Sequence, residues 1–166
     1  MKKFRLYWHK DKNENFINNM ASKGWMYKKF FFGVYTFEKG QPNEYTYRCD
    51  LISDKNTTEL NEYIQLIEDT GAEYVQRWGI WGVFRKKGEF ELYTDKESKR
   101  DQYRKIRKFF LGMFIFEVAC SLRIYTEYFK YKNNVTLVMI IIISLIIGIF
   151  LKEVIRCNRK IKELED

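Results

Sequence analysis

The run VTLVMIIIISLIIGIFL, residues 135–151, carries no charged side chain over 17 positions. A buried strand does not run this long, and a helix in water would show a polar face. The run therefore predicts a transmembrane helix, at the short end of what a hydrocarbon core of roughly 30 Å requires. The preceding segment, residues 109–129, is apolar as far as Leu122 but contains Glu117, then Arg123 and Glu127. Carried through to Phe129 it is long enough to span. Arg123, Tyr125 and Tyr128 then fall at the far interface, where long cations snorkel and rings settle. The connection KYKNN, residues 130–134, closes a helical hairpin.

Basic residues beside the spans give the orientation. Residues 96–108 hold seven and residues 152–162 hold five, against Lys130 and Lys132 in the connection. The positive-inside tendency places both termini in the cytoplasm, with the basic runs against anionic headgroups. The expectation is a multi-pass protein of the cell membrane. Glu117 is the exception inside the apolar run. A carboxyl at membrane depth is costly and invites a functional reading. Level pairing of antiparallel helices would set it near Ser144 and Gly148, a small-xxx-small pair suited to close approach. The expectation favours a protonated Glu117 bonded to Ser144 or a backbone carbonyl, fastening the hairpin; contact with a membrane partner or a cationic ligand is the functional alternative.

The net charge of +8 raises the question of nucleic acid. Its distribution answers it: residues 1–94 hold 15 Lys/Arg against 13 Asp/Glu, while residues 95–166 hold 15 against 9. The basic excess sits around the apolar third. The stretch FFFGVYTF lacks the basic residue and glycine that open an RNA-recognition strand, so no nucleic-acid partner is expected. Cys49, Cys120 and Cys157 are widely spaced, which suggests neither a disulfide framework nor a zinc knuckle. His9 is the single histidine, and no nucleophile elbow, Walker loop or dinucleotide glycine pattern occurs. The expectation is no enzyme, no cofactor and no metal site. His9 reads as a surface residue at a strand end, and Cys49 as a small buried hydrophobe.

In the first 94 residues the apolar period alternates between that of strands and that of helices. FRLYW (residues 4–8) alternates as a strand. Phe16, Ile17, Met20 and Ala21 share a helical face that Gly24 ends. WMYKKFF and VYTFEK follow as strands about Gly33, and the turn GQPNE leads to EYTYRCDLI. A second helix, capped by Thr57 or Thr58, presents Leu60, Ile64 and Ile67 and stops at Gly71. EYVQRW and WGVFRKKG are further strands, with FELY a short last one. Thr94 and Glu97 form a capping box opening a long helix towards the membrane. The class is α+β: tandem strand–helix–strand–strand units forming one antiparallel sheet with two helices behind it, followed by a transmembrane α-helical hairpin. The domain boundaries expected are 1–94 for the α+β domain, 95–108 for a basic juxtamembrane helix, 109–129 and 135–151 for the spans, 130–134 for the outer loop and 152–166 for the tail.

Asn19, Met20, Ala21, Gly24 and Trp25, then Tyr35, Phe37, Glu38, Lys39, Gly40 and Pro42, then Tyr45, Tyr47, Arg48 and Asp50 occur in an order that resembles Firmicutes domain-of-unknown-function family twenty-eight twelve. Gln41 departs from the acidic residue more usual in that turn. The resemblance implies a cytoplasmic module, often followed by membrane helices and commonly associated with PadR-type transcriptional regulators, and it implies no activity. The doubled element order also resembles the gyrase-inhibitor-like fold, whose members bind small hydrophobic or cationic ligands in an aromatic cleft. Fold alone does not set function.

Tyr35, Phe37, Tyr45 and Tyr47 read mainly as core rings. With Trp8, Trp25, Trp78 and Trp81 there are more rings than two short helices can cover. The surplus predicts a groove or interface with Glu38, Arg48, Asp50 and Arg77 as its orienting charges. The function expected is a non-enzymatic, membrane-anchored cytoplasmic module that binds a small hydrophobic ligand or a protein partner and signals to the membrane. Homo-oligomerisation is left open. The alternative is a membrane-complex subunit or immunity-type protein acting through Glu117, Arg123 and Ser144 of the hairpin.

Overall fold

The computed structural model describes residues 1–7 and 9–165. The chain divides into two compact units, Met1–Thr94 and Asp95–Asp166. The first contains β1 (Lys2–Phe4), α1 (Lys10–Ala21), β2 (Trp25–Phe31), β3 (Val34–Lys39), β4 (Tyr45–Leu51), α2 (Thr57–Asp69), β5 (Glu73–Trp78) and β6 (Trp81–Lys87). The second is a pair of helices, α3 (Lys96–Tyr131) and α4 (Asn134–Glu165).

The α+β class and the doubled strand–helix–strand–strand order are present. The sheet arrangement differs from the single sheet expected. There are two three-stranded antiparallel sheets, β1-β3-β2 and β4-β6-β5, each with the last strand of its unit in the centre. β3 and β4 belong to different sheets, so residues 35–48 are not a hairpin. The helices do not share one side either. Neighbouring strand residues face opposite ways. Cys49 on β4 meets Asn13 and Glu14 of α1, while the next residue, Asp50, meets Tyr63 of α2. Val83 and Phe84 on β6 divide in the same way between two cores. The second sheet is thus a middle layer, with α1 on one face and α2 on the other.

Open strand edges explain the break between the sheets. An unpaired edge presents N–H and C=O groups that need partners. On β4 they come from α1: Asn18 donates to the Tyr47 carbonyl (3.0 Å) and accepts from its N–H (2.8 Å), and Glu14 accepts from the Cys49 N–H (2.7 Å). Residues four apart on a helix rise ~6 Å, close to the ~6.8 Å between alternate strand residues, so one helix face can serve one strand edge. On β2 the partner is a side chain of β5. Gln76 accepts from the Phe30 N–H (2.8 Å) and donates to its carbonyl (2.9 Å), imitating a neighbouring peptide. The Tyr47 hydroxyl accepts from the Tyr27 N–H (3.1 Å) beside it.

Several local boundaries shift. β1 is Lys2–Phe4 and meets the expected strand only at Phe4. His9 is buried and caps α1, its Nδ1 accepting from the Asp11 N–H (2.9 Å); it is neither a surface residue nor a strand end. α2 is capped by Asn56 in a capping box with Glu59, and α3 by Asp95, which accepts from Ser98. Residues 90–93 form no strand, but Phe90 is buried against Phe84 and Ala72.

In the second unit, α3 and α4 run antiparallel about Lys132 and Asn133, a shorter break than residues 130–134. Lys132 adopts a left-handed conformation (φ 46°), and Asn133 accepts from the Val135 N–H (2.9 Å). Among the covered residues of α4, one series recurs at alternating steps of four and three: Ile143, Ile147, Phe150, Val154, Cys157 and Ile161. This is the period of a coiled-coil seam. Opposite lie Ile106, Phe110 and Ser121 of α3. Both helices are long and apolar enough to cross a membrane.

Candidate functional site

The expected aromatic site separates into a core and a remainder. Tyr35, Phe37 and Tyr47 are buried together with Tyr27, Ile17, Met20 and Val83, and Trp81 is buried as well. Tyr35 stacks near Phe37 (6.3 Å between centroids), and Phe16 of α1 meets both edge-on. These four rings face no solvent and cannot receive a ligand without unpacking the core. Trp8 lies outside the described residues. Trp25, Tyr45 and Trp78 are half-buried, and no ring contact joins any two of them. Trp78 leans edge-on against Phe30 (4.8 Å), and Tyr45 lies under the Arg85 guanidinium (4.4 Å).

The expected orienting charges are also dispersed. Asp50 is buried and accepts from the Tyr63 (2.6 Å) and Tyr93 (2.9 Å) hydroxyls, which tie α2 and the 88–94 segment to β4. Burial, with the Asp50 charge second, pushes both phenols up out of the ordinary tyrosine range. Arg48 pairs with Glu91 (2.7 Å), Glu38 with Lys28 (2.9 Å), and the exposed Arg77 donates to the Gly79 carbonyl (3.0 Å). They do not converge on one groove.

A second polar cluster lies between α1 and β4. Lys10 bonds both oxygens of Glu14 (3.1 and 3.2 Å), Asn13 donates to the Cys49 sulfur (3.5 Å), and the Tyr35 hydroxyl donates to Asn13 (2.8 Å). Burial raises the Glu14 carboxyl above its usual range, with Lys10 and the Cys49 N–H pulling the other way. Burial also pushes the Cys49 thiol up, with Glu14 adding to it. Such a thiol is held protonated and unreactive. The cluster joins a helix to a strand edge, which is a structural task. Among the described residues no three His, Cys, Asp or Glu side chains converge as metal ligands would.

In the helical pair, Ser144 does not meet Glu117. Its hydroxyl bonds the Tyr125 hydroxyl (3.0 Å), and open space surrounds the position of a Cβ on Gly148. The seam runs through Ile143 and Ile147, and this turns Ser144 and Gly148 outward. Glu117 is half-buried among seam positions with no hydrogen bond or ion pair to another described residue. Arg123 is exposed.

One surface feature was not anticipated. Phe31 and Phe32, at the β2–β3 turn, are 70% and 83% exposed, and Phe4 and Leu6 beside them are 61% and 60% exposed. The signal was three phenylalanines in succession before Gly33, read as the end of a strand and weighed only against an RNA-recognition pattern.

A family model described as "Protein of unknown function (DUF2812)" matches residues 9–115, from the cap of α1 through β6 into α3. No curated protein and no solved structure matches the chain.

Proposed function

The chain belongs to the DUF2812 family of proteins of unknown function, and we propose that it is a non-enzymatic membrane-anchored module. In this reading α3 and α4 cross the bilayer as a two-pass hairpin with both termini in the cytoplasm. The α+β unit binds a partner there and reports it to the membrane. The observation that carries the reading is where the apolar side chains of the helical pair lie. Only a seam is covered, while Ile115, Phe116, Ile141, Ile142 and Leu145 are all exposed. In water that surface is a liability; in lipid it is the expected exterior. The basic runs at 96–108 and 152–162 support the orientation.

Between a ligand and a protein partner, the core favours the protein. The rings that would wall a cleft, Tyr35, Phe37, Tyr47 and Trp81, are spent on internal packing. The half-exposed Trp25, Tyr45 and Trp78 suit a surface contact. PadR-type regulators are the partner class the resemblance suggests. A photo-reactive residue at position 45 or 78, activated in native membranes, tests this. Recovery of one specific protein supports the reading, and unchanged cross-link patterns at both positions contradict it.

The alternative, action through the hairpin, draws on Glu117, a seam carboxyl without a partner among the described residues. Under that reading Glu117→Gln abolishes function while the α+β unit stays folded. Under the leading reading it has little effect.

A further inference from the structure

The open face of the first sheet is graded from apolar to basic. Strand pairing places Phe4, Val34 and Phe31 in one row across β1, β3 and β2. Two residues further from the turn, Lys2, Thr36 and Lys29 form the next row. Rows two residues apart are separated by ~6.8 Å. Beyond the apolar row the turn projects Phe32, with Leu6 packed over Gly33. Among the described residues, Lys2, Arg5 and Lys29 form no ion pair with a carboxylate. The face thus carries an apolar tip with the uncompensated charges of Lys2 and Lys29 one row behind it, while Arg5 lies level with Gly33 at the turn.

The turn itself indicates that the tip has a use. Phe31 pairs with Val34, so Phe32 and Gly33 are the two central residues, with φ of 42° and 82°. That is the primed turn whose first central position suits Asn, Asp or Gly. A bulky ring is disfavoured at positive φ, and Phe32, 83% exposed, has among the described residues only an edge-on contact with the likewise exposed Phe31 (4.8 Å) to set against that cost. The other hairpin turn, between Trp78 and Trp81, places Gly79 at its positive-φ position.

We propose that the β2–β3 tip docks onto an anionic lipid surface, Phe31 and Phe32 entering the headgroup–acyl boundary while Lys2 and Lys29, one row behind, meet the phosphates. Charge complementarity selects this occupant: an apolar end backed by unpaired cations matches the depth profile of an anionic leaflet, apolar inside and negative at its surface. The inference rests in part on the reading of α3 and α4 as spans, since these keep a bilayer within reach.

The test uses the full chain carrying Phe32→Cys and Cys120→Ser, labelled at position 32 with a polarity-sensitive fluorophore and placed in lipid nanodiscs. In discs containing phosphatidylglycerol, the emission shifts to the blue and is quenched by brominated lipid. In phosphatidylcholine discs it stays water-like. Each of Lys2→Gln and Lys29→Gln lowers the ratio of inserted to free tip by about fivefold. Water-like emission in the anionic discs overturns the proposal. So does a blue shift that brominated lipid does not quench, which indicates a protein contact. Co-elution with the disc reads the spans separately. A chain that fails to incorporate contradicts the spanning reading, and its probe is then read against phosphatidylglycerol vesicles, where water-like emission again overturns the tip.

Discussion

At the scale of single residues, burial decides which side chains are for the fold and which are left for a partner. Tyr35, Phe37 and Tyr47 are core, as their alternation in apolar strands suggests. Alternation could not say that the charged face of β4 would be covered as well, because that depends on α2 reaching Asp50 through Tyr63. Phe32 is the opposite case, an exposed ring on an unfavourable backbone. Phe32→Asn should therefore raise the stability of the α+β unit by about 1 kcal/mol, seen as a higher melting temperature of its tryptophan fluorescence. An unchanged or lower melting temperature would mean the ring is already compensated. Glu14 gives a pH prediction. Its folded pKa is raised by burial above the ordinary 4.5, so its contribution to stability is complete below that value and is lost as pH rises through the folded value. Urea midpoints of Glu14→Gln should fall less steeply above pH 4.5 than those of the native chain; parallel profiles would contradict this.

Among the elements, the sequence shows where helices and strands lie better than how they meet. Gly24 and Gly71 end α1 and α2 with φ of 76° and 83°, as their positions suggest. The caps fall one or two residues from expectation at Asn56 and one at Asp95, because several capping residue types stand side by side at each start. What was not legible is the division into two sheets. It rests on polar side chains, Asn18 and Gln76, that take the place of neighbouring strands, and nothing in hydrophobic period marks an amide for that role. Asn18→Ala leaves the N–H and carbonyl of Tyr47 without their side-chain partner and should cost about 2 kcal/mol in denaturant unfolding. A loss below about 0.5 kcal/mol would show that water replaces Asn18 at no penalty. The seam of α3 and α4 was likewise hidden, since a run as uniform as residues 135–151 has no polar face to reveal which side packs inward.

For the whole molecule, the division into a mixed α+β unit and an apolar helical pair was readable from hydrophobic period together with the distribution of charge. Residues 1–94 are near neutral, and the net positive charge gathers beside the apolar runs. We propose that this pair lies across the bilayer with the α+β unit in the cytoplasm. Single cysteines at Asn133 and at Ser98, in a chain lacking Cys120, test it directly with a membrane-impermeant maleimide on intact cells. Position 133 is expected to be labelled at once, and position 98 only after the membrane is permeabilised. Equal labelling of both in intact cells, or of neither until permeabilisation, would contradict it.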